Sequence, residues 1–371
     1  MKPEAAMELA LAEARRGQGR SFPNPCVGAV VVRGDRVLGR GHSRPAGGAH
    51  AEVVAIEQAR RRAGASALRR ATLAVTLEPC SHQGRTGPCT EQIEASGIPR
   101  VWVGLRDPHP LVSGRGLRRL RRRGVAVRVG VLSEACRDHH RGFLSVCERG
   151  RPWVVLKLAS TLDGRIATSS GESQWISGAR ARAFVHELRA TSDAVMVGSG
   201  TALADDPALT ARRGERVVHA PVRVLVDSRL RVPTTARLYQ EPRGEAWVLC
   251  GRGVRGRKAR SQVGARVLEV RRRGRGLDLA AGLERLAQEG LTQILVEGGG
   301  QLAASLLRSR CLDEIHWIVA PRLIGGDGQP ALGPLGLRNL ADSDVFESVE
   351  VSRLGDDVRL TARVSTATDA R

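Results

Sequence analysis

The sequence predicts an α/β protein built as two units, and three observations carry that prediction. Short runs rich in Val, Leu and Ile alternate with segments whose apolar residues recur at helical spacing. At 371 residues the chain is long for one domain. A polar stretch, ERGRPW at 148–153, breaks the pattern and carries Pro152 just before a new apolar run.

The first half opens with MKPEAAMELALAEARRG, where Glu4, Glu8 and Glu13 interrupt Ala and Leu. That reads as an amphipathic helix, not the uninterrupted apolar centre of a signal peptide, and a cytoplasmic protein is expected. CVGAVVVRGDRVLGRGHS reads as two strands around the Gly34-Asp35 turn, AHAEVVAIEQARRRA as a helix ending near Gly64, and ATLAVTL as a strand. CTEQIEASG is a short helix, RVWVGLRD a strand, GLRRLRRRG a helix and VAVRVGVL a strand. Past the break, WVVLKLAS, AVMVGSG, VRVLVDS, AWVLC, ARVLEV, QILVEGG and EIHWIVA read as strands, with helices at HELRA and LAASLLRSR. GRGVRGRKAR and RRRGRG, near 251–276, read as exposed loops or edges. The units are placed at 1–147 and 150–371.

Composition excludes several classes. No apolar run reaches about 18 residues, so no membrane-spanning helix is indicated. Seven cysteines, an odd number scattered along the chain, do not make a disulfide framework. The net charge is +21, and lysine occurs only at Lys2, Lys157 and Lys258, so the excess is arginine. Such charge suits nucleic acid or phosphorylated substrates; a compositional bias toward arginine, spread over solvated helix faces such as RRLRRR, is the other reading. Aromatic side chains are 3% of the chain, too few for a base-stacking surface.

Chemistry concentrates at two places thirty residues apart. His50-Ala51-Glu52 stands at the start of a predicted helix, and EPCSHQGRTGPC sets Cys80 and Cys89 around a loop at a strand end. Imidazole and thiolates together point to zinc in tetrahedral geometry. Three protein ligands, His50, Cys80 and Cys89, leave a fourth position for water, the arrangement of a catalytic site. Zinc there gives hydroxide at neutral pH. Glu52, two residues from His50, can reach that water without being a ligand and shuttle its proton to a leaving amine. This is the H-x-E and P-C pairing of nucleobase deaminases, with a longer interval between cysteines than their P-C-x-x-C. His82, between the two thiols, is excluded as a ligand because it would block the water position.

In the second half no G-x-G-x-x-G opens a Rossmann unit. ILVEGGGQLAASLL gives strand, three glycines and helix: Gly298, Gly299 and Gly300 would allow close backbone approach, and the helix start favours phosphate. VGSGTALADDP supplies a second glycine-containing turn, so a cofactor spanning both would lie at the carboxyl ends of strands. Asp163 and Asp206 read as turn-formers.

Taken together, PNPCVGAVVV, GRGHSRPAGGAHAE, TLEPCSHQGRTGPC and RDPHPLVSGRGLRRLRRRGVAV resemble the bifunctional riboflavin-biosynthesis deaminase-reductases. KLASTLDGRIATSSGESQWISG, ADDPALTAR and VEGGGQL continue the likeness to about residue 345. Members more often carry His-His-Gly and Thr-Pro-Pro around the cysteine loop, where Gln83 and Gly87 stand here. The resemblance implies a cytidine-deaminase-like α/β/α sandwich followed by a dihydrofolate-reductase-like α/β domain. It implies deamination of 2,5-diamino-6-ribosylamino-4(3H)-pyrimidinone 5′-phosphate, then NADPH reduction of the ribosyl group to ribityl.

On that footing Arg85 is a candidate for the substrate phosphate, beside the alternative of a solvated turn. Asn24 and His42 are candidates for the ring or ribose, a satisfied buried histidine being the other reading of His42. Matched by position, Ala159, Trp175, Thr201, Asp205 and Ser228 correspond to NADPH contacts, with the stretch Gly299, Gly300, Gln301, Leu302, Ala303, Ala304 and Ser305. Ser173, Arg189, Leu209, Arg212 and Glu297 correspond to the substrate side. Trp175 taken alone reads as core. Zn2+ and NADPH are the expected cofactors and a phosphorylated pyrimidine the expected substrate. No nucleic-acid or membrane partner is expected, and a homo-oligomer is. The competing reading is a nucleic-acid-modifying zinc deaminase with an RNA-binding second unit. It accounts for the charge but not for GESQW, ADDPALT or EGGG.

Overall fold

A computed structural model of the chain describes residues 1–83, 87–109, 112–274 and 276–364. The chain divides into two compact units, Met1–Gly150 and Arg151–Arg371.

In the first unit the strands are β1 (Gly28–Arg33), β2 (Arg36–His42), β3 (Thr72–Leu77), β4 (Arg100–Leu105) and β5 (Ala126–Val129). They form one sheet in the order β2-β1-β3-β4-β5. β1 runs antiparallel to β2 and β3, while β3, β4 and β5 are parallel. The helices are α1 (Pro3–Gly17), α2 (Ala51–Ala63), α3 (Ala65–Leu68), α4 (Cys89–Ser96), α5 (Arg115–Arg122), α6 (Ser133–His139) and α7 (Arg141–Arg149).

Alternation along β1 explains the layering. Ala29 and Val31 face a core shared with α2, α4 and α5, through Ala55, Ile93 and Leu117. Val30 and Val32 face the opposite core, with Met7 and Ala10 of α1, Cys136 of α6 and Leu144 of α7. Strand side chains alternate faces, so a strand buried on both sides must be apolar throughout. The result is the α/β/α sandwich. β1 and β2 close over Gly34, whose φ of +56° suits a residue without Cβ.

The second unit carries a nine-stranded sheet. Its order is Arg266–Val270, Ala246–Gly251, Val222–Val226, Ala194–Gly198, Gln293–Val296, Trp153–Thr161, Glu314–Ala320, Asp357–Val364 and Phe346–Leu354. The first seven are parallel, and the last two form an antiparallel hairpin on the edge. All strands named from the sequence are present in both units. The Arg/Gly-rich segment expected as loop or edge is exposed, but Arg257–Gln262 within it is helical. The helices α6, α7, Ser199–Asp205 and Leu279–Gln288, and the edge hairpin, were not anticipated. Among the described residues no helix is long and apolar enough to cross a membrane.

Candidate active site

Three elements meet at the first site. His50 is the N-cap of α2, its backbone still extended (φ −73°, ψ 161°), and Glu52 lies in that helix's first turn. Cys80 follows the fully buried strand β3, and Cys89 is the first residue of α4. Their ligand atoms all lie within 4.8 Å of one another. His50 Nδ1 is 3.1 Å from Cys89 Sγ and 3.6 Å from Cys80 Sγ.

Zinc–sulfur bonds of about 2.3 Å and zinc–nitrogen bonds of about 2.0 Å at tetrahedral angles require N···S separations of roughly 3.5 Å. The donor set and its spacing therefore fit a zinc ion. The Cys89 N–H donates to Cys80 Sγ at 3.3 Å, a bond that favours thiolate.

The electrostatics run the same way. Hydrogen bonds from Cys89 and His50 hold the Cys80 thiol down to about 4. Sharing that proton with Cys80, together with burial, pushes the Cys89 thiol up. The contact with Cys80 also raises the His50 imidazole. Glu52, only 3% exposed, is raised to about 7, first by burial and then by the charge of Cys80. A carboxyl poised near neutrality beside a metal-ligand cluster is suited to exchanging protons.

A second carboxylate braces the same region. Glu78, two residues before Cys80, is buried and accepts N–H bonds from Asp107, Gly114, Gly116 and Leu117 at 2.9–3.3 Å. It ties the end of β3 to the start of α5. Sequence reasoning assigned Glu78 nothing, although it is the first residue of the EPC triplet.

The remaining first-unit candidates are placed as follows. Asn24 is exposed on the loop between α1 and β1. His42 ends β2 with its Nδ1 3.6 Å from the Glu13 carboxylate of α1, and burial holds its imidazole below the usual range. The sequence reading took Glu13 only as a polar position of the amphipathic first helix. Arg85 lies outside the described residues.

In the second unit the two glycine-containing turns do meet, because strands Ala194–Gly198 and Gln293–Val296 are parallel neighbours. The Gly299 N–H donates to Thr201 Oγ1 at 3.0 Å. Two of the three glycines, however, serve the chain's own packing. A Cβ on Gly298 would come within 2.7–3.1 Å of Leu302, and one on Gly300 within 2.9 Å of the Pro330 and Ala331 carbonyls. The N–H groups of Gly300 and Gln301 have no partner among the described residues, so the first turn of helix Gly300–Arg308 is what remains for a phosphate. Leu302, Ala303 and Ala304 are buried, and Ser305 bonds back to the Gln301 carbonyl.

Ser228 follows strand Val222–Val226, Ala159 lies in strand Trp153–Thr161, and Asp205 ends helix Ser199–Asp205 on the surface. Trp175 is not core: it is 62% exposed, with the Arg182 guanidinium 4.7 Å over its ring. Ser173 sits in the same loop.

On the substrate side Arg189 forks onto Glu297 at 2.6 and 2.8 Å and donates to the Thr210 carbonyl at 3.0 Å. Burial pushes the Glu297 carboxyl up, but Arg189 and Lys157 hold it below the usual range. Lys157 itself is lowered by burial, and the sequence reading gave it no place in the site. Arg212 bonds Thr210 Oγ1 through Nε and donates its backbone N–H to His186 Nδ1 at 3.1 Å. Leu209 is buried at φ +57° and packs into the core. Asp163 accepts from Thr161, Ile324 and Gly325, and Asp206 accepts from the Arg237 N–H, so both act as turn-formers.

Fold and site together define a two-unit enzyme, a zinc-type deaminase joined to an α/β reductase. Residues 1–105 match the cytidine and deoxycytidylate deaminase zinc-binding region, and residues 152–360 the RibD C-terminal domain. Riboflavin biosynthesis protein RibD of Bacillus amyloliquefaciens is 38% identical over 364 residues, 97% of this chain and 95% of that one. Its namesake in Escherichia coli K12 is also 38% identical, covering 97% and 99%. The solved structure of Acinetobacter baumannii RibD (form 1) superposes with a TM-score of 0.87 at 35% identity, covering 98% of this chain and 99% of that one. The chain belongs to the RibD family of bifunctional riboflavin-biosynthesis deaminase-reductases. It is thus an enzyme with both activities.

Proposed function

We propose that the first unit deaminates 2,5-diamino-6-ribosylamino-4(3H)-pyrimidinone 5′-phosphate and that the second reduces the ribosyl group of the product with NADPH. The product would be 5-amino-6-ribitylaminouracil 5′-phosphate. The observation that carries this reading is the convergence of His50, Cys80 and Cys89 with Glu52 buried against them. A solved Thermotoga maritima protein, 34% identical with a TM-score of 0.85, is described as a diaminohydroxyphosphoribosylaminopyrimidine deaminase and 5-amino-6-(5-phosphoribosylamino)uracil reductase.

Held by those three ligands, zinc supplies the Lewis acidity that lowers the pKa of water to about 7. Glu52 takes a proton from the attacking water and returns it to the departing amino group, so that C–NH2 and water become C=O and ammonia. Its raised pKa suits both directions of that transfer. Asn24 and His42 would hold the ring or ribose, and Arg85 the phosphate.

NADPH supplies the hydride for the second step. Gly299, Gly300 and the helix they open would hold its phosphates, with Thr201, Ser228, Asp205, Ala159 and Trp175 as further contacts. Arg189, fixed by Glu297, and Arg212 would orient the phosphorylated substrate beside Ser173 and Leu209. Metal analysis of the purified protein, followed by incubation with the diaminopyrimidinone phosphate while ammonia and NADPH are monitored together, tests the reading. One zinc per chain, ammonia release, and NADPH consumption only after deamination are expected. A zinc-replete protein that releases no ammonia from this substrate overturns it.

A further inference from the structure

Helix Ala179–Thr191 carries two stripes of different chemistry. Ala181 and Val185 are buried with Ile318, and Leu354 of the edge hairpin packs against them. Arg182, His186 and Arg189 recur at i, i+4 and i+7 and so share another stripe. Arg189 forks onto Glu297, and His186 accepts the Arg212 N–H. Arg182, at the head of the stripe, reaches back to the loop before the helix. Its guanidinium lies 4.7 Å over the Trp175 ring and donates to the Ser177 carbonyl at 2.7 Å. The end of that loop is held from a second side. Gly178, the N-cap of the helix, has an extended backbone (φ −75°, ψ 176°) and donates its N–H to Asp357 Oδ2 at 2.7 Å. Asp357 opens the hairpin's second strand, pairs with Leu354 across the turn and is 3% exposed. A carboxylate at a helix start is further favoured by the helix dipole. Between these anchors the Ile176 N–H closes a turn on the Ser173 carbonyl at 3.2 Å.

We propose that Arg182 and Asp357 are positioning residues of the reductase: together they hold residues 173–178 so that Trp175 offers NADPH the ring face that Arg182 leaves open. The proposal rests on the NADPH reading above. Three observations carry it. First, Trp175 alone of the five tryptophans is exposed, and a ring on an exposed loop loses most freedom when a ligand orders it. A ring fixed beforehand spares the cofactor that cost. Second, a guanidinium stacked on one face sets the ring plane and covers that face, so a flat cofactor ring meets the other. Third, both anchors act on the main chain of the loop itself. Arg182 takes the Ser177 carbonyl and Asp357 the Gly178 N–H, two and three residues beyond Trp175. The edge hairpin, whose outer strand is almost wholly exposed, thereby gains a part in the chemistry through one buried carboxylate at its turn.

The test is steady-state reduction of supplied deaminated intermediate by the full-length protein, with ammonia release by the first unit as the control. Arg182→Met keeps the aliphatic stem and removes the cation. It is expected to raise the NADPH KM by about five- to thirtyfold, with kcat within about threefold and ammonia release unchanged. In the Trp175→Ala background the same change should add less than about twofold, because the two side chains act as one unit. Asp357→Ala is expected to raise the NADPH KM in the same way, and Asp357→Asn, whose amide oxygen can still accept the Gly178 N–H, to restore it. Time-resolved fluorescence anisotropy, with Trp175→Ala subtracted, should show a more mobile indole in Arg182→Met. An unchanged NADPH KM in both Arg182→Met and Asp357→Ala overturns the positioning role. So do losses that simply multiply in the Trp175→Ala background, or an equal fall in reduction and ammonia release. Wild-type protein that deaminates but consumes no NADPH overturns the NADPH reading itself.

Discussion

Glu52 owes its properties to three neighbours acting at once. Its place in the first turn of α2 puts it in the favourable end of the helix dipole, which stabilises the carboxylate. Burial and the Cys80 charge oppose that and dominate, leaving the group near neutrality. Replacing it by glutamine keeps shape and removes proton exchange. Glu52→Gln is expected to retain stoichiometric zinc by metal analysis while ammonia release falls by about 10²- to 10⁴-fold. NADPH consumption on supplied deaminated intermediate should be unchanged. Full deamination by this variant would remove Glu52 from its role. In the second unit, Glu297 is the anion between Arg189 and Lys157. Glu297→Ala strands two buried cations and is expected to cost about 3 kcal/mol, read as lost amide-exchange protection in strand Gln293–Val296.

At the scale of elements, the site depends on how closely α2 lies on β2. A Cβ on Gly39 would meet the Ala55 carbonyl at 2.1 Å, and one on Gly41 would meet the Ala51 carbonyl at 2.4 Å. These contacts are backbone, so nothing flexible can give way. Gly41→Ala must displace the helix turn that carries His50 and Glu52. It is expected to lower zinc occupancy and deamination together and to leave NADPH reduction of supplied intermediate intact. Unchanged zinc content in Gly41→Ala would contradict this packing argument.

The same packing separates what the sequence could tell from what it could not. β1, β3 and β4 were legible because strands buried on both faces are runs of mostly apolar residues. His50, Cys80, Cys89 and Glu52 were legible because rare ligand chemistry stands at element ends. α6 and α7 were not, since SEACRDHHRGFLSVCERG hides buried Cys136, His140 and Leu144 among charges. The edge strand Phe346–Leu354 is almost wholly exposed and shows no alternation to read. Partnerships such as Arg189 with Glu297, or His42 with Glu13, join distant positions and exist only once the fold has formed.

For the molecule as a whole, pH enters through histidines buried neutral. His140 packs edge-on to His139, with ring centroids 4.8 Å apart, and its Nε2 meets Thr76 Oγ1 of β3 at 3.0 Å. Burial first, then the His139 ring, holds its pKa well below 6.5. His139 is likewise lowered by burial, against its bond to the Cys26 carbonyl and with Arg15, Arg141 and Asp138 nearby. In the unfolded chain both imidazoles bind protons below about pH 6.5. The unfolded state then holds more protons than the native one, so stability present above that pH declines as pH falls. Asp107 works in the opposite direction. Its carboxyl is raised to about 6 by burial, so it takes up a proton in the native state and offsets part of the loss. Protonation of the metal ligands adds its own acid loss, so the comparison must be between proteins that share them. For a single fully buried histidine the loss from pH 6.5 to 5.5 is about 1 kcal/mol. His140→Gln is expected to lose that much less than wild type over this interval, measured as the opening free energy of the β3 amides by hydrogen exchange. Parallel pH slopes in the two proteins would show that His140 is not titrating on unfolding.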